Sequence, residues 1–452
     1  MAVVEWIGQS LRDDDNAQAN TSRLLNMYRE RHGDGYTVKS VLGMTTFASF
    51  TGVFLRALAE VGGVLYAVVG GKVYSITSGA GTAELATVND AVDTTIDGNN
   101  GAITVSAGGE YYNIDSGGVV TTPTTGAFSD VGSVSFLGQR TIITEKDGRR
   151  FGWSDVADST TFDALDFATA ENEDDLIIRG LAIGPQYWIF GERSIERWYQ
   201  SGSANTSEFL LPISGGAIET GLKAFGLLTE MRNGAFFVGN DNIAYLISGG
   251  SLIPVSTRGV ETAIEQSQPN KCFYYEDEGH KFCVLQFNDR PAWCYDVSVN
   301  EWHERCEGAD FGPWAATASA QAYGAWYVGN DFGDVLRLQR TNLDAGEPLF
   351  RRAVSTTLEN DGQRFTINRA QFQPQTGFGN DAGGAPEIMF RFSRDRGQTW
   401  GRERWRDVGA DGDYDKLVTL RALGRFRRAT AEVTMSTPVD IPISSQMFLE
   451  VT

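Results

Sequence analysis

The stretch from Gly184 to Gly202, GPQYWIFGERSIERWYQSG, sets two apolar runs on either side of a short polar reversal. Tyr187, Trp188, Ile189 and Phe190 make the first run, Ile195, Trp198 and Tyr199 lie in the second, and Gly-Glu-Arg-Ser between them supplies turn chemistry. That is the grammar of one β-hairpin. The same grammar returns near Gly63 (GVLYAVVGGKVYSIT), Gly101, Gly138, Gly234 (GAFFVGNDNIAYLIS), Gly279 and Gly324 (GAWYVGNDFGDVLRL). The starts lie roughly 37 to 50 residues apart, the period of four-stranded propeller blades. Helical solenoids need long runs of 3.6-residue periodicity, which are almost wanting here. A lone hairpin cannot bury both its faces, so sheets stacked around an axis hide the alternating apolar residues and limit exposed edges. The predicted fold is therefore all-β, with a β-propeller of six or seven four-stranded blades over residues 51–341.

Outside that span the chain changes character. Residues 1–50 show little turn periodicity, and SRLLNMYRER there reads as a short helix or an extended arm. Such an arm either completes the last blade and closes the ring or reaches a neighbouring subunit, and both readings stand. From residue 342 to 452 arginine becomes abundant and strands such as RFTINRAQFQP and EIMFRFS alternate well, which predicts a separate C-terminal β domain. From Leu343 onward 15 basic and 15 acidic residues balance, so the whole formal charge of −20 lies on the earlier residues. An acidic surface repels phosphate and argues against a protein that grips DNA by counterion release, whereas a conduit that must not grip DNA needs this sign. It also simply keeps a large β protein soluble. No segment approaches the roughly 20 apolar residues of a membrane span, and MAVVEWIGQSLRDDD lacks the pattern of a secretory signal, which points to a protein made in a cytoplasm that can still leave in a particle.

Few motifs carry chemistry. Cys272, Cys283, Cys294 and Cys306 are evenly spaced but form no C-x-x-C knuckle, so they read as buried free thiols rather than zinc ligands. His32, His280 and His303 show no ligand spacing, and neither a G-x-S-x-G elbow nor a P-loop occurs. In WCYDVSVNEWHER, Asp296 and Trp302 have the Asp-to-Trp spacing of kelch blades, with the indole expected between adjacent sheets. Glu171, Glu173, Asp174 and Asp175 form an acidic tract that is either a solvated loop or a cation or partner site. Ser393, Asp395, Gly397 and Trp400 fit the S-x-D-x-G-x-T-W pattern of the Asp-box. There Asp395 accepts backbone N–H bonds, Gly397 takes positive φ and Trp400 pins the hairpin to an adjoining sheet. This motif is structural in other propellers. No catalytic residue, cofactor or metal site is expected, and the chain reads as a non-enzyme.

The strings FDALDFATAE, WIFGERSIERWYQSG, EGHKFCVLQF, WCYDVSVNEWHER and FSRDRGQTWGRERW, in this order, resemble the packaged-DNA stabilisation proteins of short-tailed bacteriophages (podoviruses), also called tail hub or nozzle proteins. The resemblance runs from roughly Gly52 to Pro438 and implies a structural virion protein of the tail, assembled in the host cytoplasm. It implies a homohexamer docked below the head-to-tail adaptor ring, which retains packaged DNA and forms part of the ejection channel. Neighbours would be a tail needle or plug and tailspikes or tail fibres, with DNA passing without specific binding. The N-terminal fifty residues match poorly, and LVTLRALGRFRRA has Leu420 and Ala422 where the family carries bulkier or basic residues before a Leu-Gly-Arg turn. On this view channel-facing acids would keep DNA centred and mobile, with Glu171, Glu173, Asp174 and Asp175 as candidates for that wall. Arg402, Arg404, Arg406, Arg425, Arg427 and Arg428 would pair with carboxylates between subunits. A receptor-binding or glycan-hydrolysing tail protein of propeller fold is the alternative, and a cellular scaffold propeller a more distant one.

Overall fold

Every glycine that opens a repeat in the sequence lies at, or just after, the turn between the first and second strands of a blade. The structure, a computed structural model, describes residues 2–12, 21–33, 35–171, 173–203, 205–215, 217–375 and 386–452. Seven such units are present among the described residues. Blades 1 to 6 occupy residues 55–87, 94–121, 131–169, 177–212, 228–254 and 271–305, each a four-stranded antiparallel meander. Gly101 and Gly279 take φ of 82° and 89°, which a β-carbon would oppose. Gly234 is kept small for another reason, since a Cβ there would lie 2.0 Å from the Ile247 carbonyl oxygen on the paired strand.

Blade 7 is closed by the other end of the chain. Its strands Ala316–Ala322, Ala325–Asn330 and Asp334–Gln339 are completed by Gly43–Ser49, which pairs antiparallel with Asp334–Gln339 from Gly43↔Gln339 to Ser49↔Asp334. The apolar residues then form seams around the ring rather than one central core. Leu55, Leu65 and Tyr327 pack blade 7 on blade 1, and Val73 and Val105 join blades 1 and 2. Tyr111 and Ile143 join blades 2 and 3, and Phe151 and Tyr187 blades 3 and 4. Phe190, Phe237 and Trp302 run through blades 4 to 6, and Phe273 with Trp314 returns to blade 7. Trp302 is 1% exposed and donates from Nε1 to the Val255 carbonyl 2.7 Å away, so its indole fills the gap between blades 5 and 6. Burial of such a side chain contributes roughly 3 kcal/mol.

The region read as an N-terminal arm is divided between the two domains. SRLLNMYRER forms two strands, Arg23–Leu25 and Met27–His32, and no helix. The break between them is Asn26, at φ 56°, whose side chain donates to the Cys306 and Phe350 carbonyls and accepts from the Cys306 amide. Asn tolerates the left-handed conformation because its amide bonds locally, so a corner replaces the helical turn. An α-helix, Arg258–Ser267, joins blades 5 and 6, with Val260, Ala263 and Ile264 buried at helical spacing.

The C-terminal domain is a β-sandwich. One sheet orders Ala2–Glu5, Gln446–Val451, Phe365–Phe372 and Val418–Phe426. The other orders Arg23–Leu25, Arg351–Val354, Arg428–Met435, Glu387–Ser393 and Arg404–Asp407, and Leu25 lies parallel to Glu304 in the last strand of blade 6. One sheet therefore passes from propeller into sandwich. The core between the two sheets includes Trp6, Phe372, Ile388, Phe390, Val433 and Leu420. The expected Leu-Gly-Arg turn is instead a bulge inside Val418–Phe426, where pairing steps from Arg369↔Arg421 to Ile367↔Gly424 and Ala422 takes φ 53°.

Candidate functional site

Each blade has four antiparallel strands, so the chain leaves it on the face where it entered, and all seven inner strands run in one direction along the axis. The face on which they begin, here the leading face, carries the connectors between blades and the turns between second and third strands. Around the axis the inner strands leave a cavity of about 600 Å3. At its leading end lie Arg56, Arg179 and Lys271, from the first residues of the inner strands of blades 1, 4 and 6. Further along come the carboxylates of Asp97 and Glu230. Burial, with the charge of Asp97 behind it, pushes the Glu230 carboxyl up to about 7. This bipolar tunnel had no local signal in the sequence, since it is assembled from residues on different blades.

The acidic tract lies in the connector from blade 3 to blade 4, on the leading face and outside the tunnel lining. Glu171, Glu173 and Asp174 are exposed, and Asp174 pairs with Arg149. Asp175 differs from them. It is buried and accepts from the Arg193 amide at 2.7 Å, the Ser194 amide at 3.0 Å and the Ser194 hydroxyl at 3.1 Å, so it staples the turn of the 184–202 hairpin and is unavailable to any channel wall.

The Asp-box residues come together at the turn after Glu387–Ser393. Ser393 Oγ lies 2.6 Å from Asp395 Oδ1, the Thr399 amide donates to Asp395 at 2.8 Å, and Gly397 has φ 82°. The Ser393 hydroxyl and then Thr399 hold the Asp395 carboxyl down at about 2, well below the ordinary carboxylate range. Trp400 is half-buried and lies beneath Arg391 of the preceding strand, with the guanidinium carbon 5.0 Å from the ring centroid.

The six arginines divide. Arg404 donates to the Arg421 and Ala422 carbonyls and Arg406 to the Thr419 carbonyl, stitching the edge of one sandwich sheet to the other. Arg428 donates to Glu359 at 2.8 Å. Arg402, Arg425 and Arg427 are exposed and their side chains have no hydrogen bond or ion pair among the described residues.

The three histidines, distant in sequence, meet around Glu30 and Tyr28. His32 and Glu30 are 2.8 Å apart, His280 Nδ1 is 2.6 Å from Asp296, and the rings of His280 and His303 lie 4.8 and 6.2 Å from that of Tyr28. All four cysteines are free and buried, on or just beyond successive strands of blade 6. Burial raises every one of their thiols above the ordinary range. Among the described residues no group of three or more His, Cys, Asp or Glu could hold a metal ion, and no helix is long and apolar enough to cross a membrane.

A seven-bladed propeller continuous through one sheet with a β-sandwich defines a two-domain β scaffold. Residues 10–341 match the family described as Bacteriophage P22 Gp10, beta-propeller, and residues 351–434 match Bacteriophage P22 Gp10, beta-sandwich. The chain belongs to the bacteriophage P22 Gp10 family, and it is a phage structural protein. No curated protein matches it significantly. Among solved structures, the Pan2 WD40 domain of Neurospora crassa is similar at 7% identity over 66% of this chain and 95% of that one, with a TM-score of 0.45. BamB from Moraxella catarrhalis is similar at 10% identity over 75% and 98%, with a TM-score of 0.41. The designed Ika8 protein is similar at 14% over 73% and 99%, also at 0.41. At these values nothing is carried over from them.

Proposed function

We propose that this chain forms a six-fold hub or nozzle ring of a short phage tail, below the head-to-tail adaptor, where it retains packaged DNA and forms part of the ejection channel. The observation that carries this reading is the distribution of charge in a chain of this family: −20 on the residues before Leu343 and balance after them. A wall that confines DNA under pressure must not bind it, and a net acidic surface keeps phosphates from adhering. Glu171, Glu173 and Asp174 remain exposed for such a wall. Arg402, Arg425 and Arg427 remain free to meet carboxylates of a neighbouring copy. Tail needle or plug and tailspikes or fibres are the proposed distal neighbours.

The test is made on particles assembled without this protein, by negative-stain imaging and DNA quantification. Leaky heads that end at the adaptor are the expected result. Full, stable particles with complete tails that only fail to adsorb or to degrade host glycan would overturn it in favour of a receptor-binding or glycan-hydrolysing tail protein.

A further inference from the structure

The tunnel through the propeller contains three cations for which the chain supplies no carboxylate at ion-pair distance among the described residues. Arg56 is 4% exposed and donates only to neutral acceptors: the Ala91 carbonyl, Thr94 Oγ1 at 2.9 Å and the Asn89 carbonyl at 2.8 Å. Its Nε is buried without a partner. Arg179 donates to the Leu228 carbonyl at 2.9 Å and the Phe225 carbonyl at 3.4 Å, and its Nε is likewise buried and unsatisfied. Lys271 has no hydrogen bond and no ion pair among the described residues. The carboxylates that influence it, Asp93 and Asp331, sit on exposed loops of the leading face.

All three cations line the same cavity, and each is held below its ordinary pKa chiefly by burial, Arg179 at about 10. Lys271 also feels the charges of both arginines, which lower its pKa further. Asp90 acts on Arg56, and Asp93 and Glu230 act on Arg179, only from beyond ion-pair distance, so these buried charges are only partly compensated, and neutral carbonyls offset only part of the remaining cost. The tunnel is polar and roomy enough for a polyatomic guest, and guanidinium forks match the geometry of oxyanions.

We infer that the leading end of the propeller tunnel is a binding site for a small tetrahedral oxyanion, of the phosphate or sulfate class, held between Arg56, Arg179 and Lys271. Asp97, and Glu230 when ionised, disfavour an anion further along the tunnel and confine it to the leading end. Asp93 and Asp331 at the mouth disfavour a polyanion, so the guest is a free small anion rather than the backbone of a nucleic acid. This inference does not depend on the ring proposed above.

The full chain, exchanged into a phosphate-free chloride buffer, is titrated with sodium phosphate and with sodium sulfate against chloride of matched ionic strength, and its melting temperature is followed. The expected result is a saturable gain of about 3 °C at a hundredfold excess over Kd. Lys271→Met and Arg179→Gln lose at least half of that gain, while Lys146→Met, an exposed control, keeps it. A gain equal to that in chloride, or one undiminished in Lys271→Met, overturns the site. Should both tunnel variants fail to fold, calorimetric titration of the unaltered chain with phosphate decides: saturable heat supports the site, and none overturns it.

Discussion

His280 and His303 share an aromatic nest with Tyr28 and Phe282, and their protonation equilibria move in opposite directions. Burial alone would lower the His280 pKa, but the hydrogen bond and charge of Asp296, with Glu30 and Asp277 behind them, raise it above its ordinary value. Its contribution to stability is complete below about pH 6.5 and is lost as pH rises through the raised pKa. His303 is pushed down to about 3 by burial, then by the charges of Arg305 and His280. The unfolded chain binds its proton first, so this contribution is full above about pH 6.5 and falls as pH drops towards 3. Urea unfolding midpoints should therefore decline on the acid side, and His303→Leu should remove part of that slope, on the order of 2 kcal/mol between about pH 6.5 and 4.5. An unchanged slope would mean that carboxylates alone set the acid limb. None of this proximity was legible in the sequence, because strand pairing brings together residues that are more than 200 positions apart. The Asp-box was legible, since its bonds span only a few residues.

At the scale of elements, the closing strand Gly43–Ser49 matters most. It makes a ring of seven blades out of an open row and covers the edge of Asp334–Gln339. Gly43 begins it in a space so tight that a Cβ would lie 2.2 Å from the Thr341 carbonyl oxygen and 2.3 Å from that of Leu343. Both obstacles are backbone, so Gly43→Val cannot be absorbed by a side-chain rotation. It should cost about 3 kcal/mol and loosen the whole closing strand, read as faster amide exchange across Gly43–Ser49 and Asp334–Gln339. Exchange confined to the substituted residue would show that closure does not depend on this approach. The repeat grammar located the hairpins because turn glycines and alternating apolar residues are local signals. Closure was left open between two readings because a strand's partner is a fact of the ring, not of the strand.

Across the whole molecule, the propeller and sandwich are joined by more than a linker. Glu304, 1% exposed, receives a bidentate bond from Arg23 at 2.7 and 2.8 Å beside the register that links blade 6 to the sandwich sheet. Arg351 is fully buried and donates to Ser40 Oγ, Asn342 Oδ1 and the carbonyls of Val439 and Thr437, tying three segments together. Calorimetry should show one unfolding transition for both domains. Glu304→Ala, which removes the buried carboxylate that Arg23 and Arg12 both meet, should cost about 3 kcal/mol, and combined with Arg351→Met it should split that transition in two. A single transition in the double variant would place the coupling elsewhere. If the proposed oligomeric ring forms, Arg425→Glu with Arg427→Glu should abolish its assembly in sedimentation, and Arg404→Ala should leave it intact because Arg404 is already committed within its own chain. Undisturbed assembly in the charge-reversed pair would remove those residues from the interface.

The sequence alone determined the all-β class, the repeated four-stranded unit, an additional C-terminal β region of balanced charge and the Asp-box hairpin. Each of these is written in contacts between residues close along the chain, where periodicity, turn chemistry and composition act directly. Only the tertiary structure decided that Gly43–Ser49 closes blade 7, that Asp175 is a buried staple while its neighbours are exposed, and that Arg404 and Arg406 serve the sandwich edge. It also gathered Arg56, Arg179 and Lys271 into one tunnel. Those outcomes depend on which strands become neighbours around an axis, and the free energy that selects them comes from seams between blades that no local stretch contains.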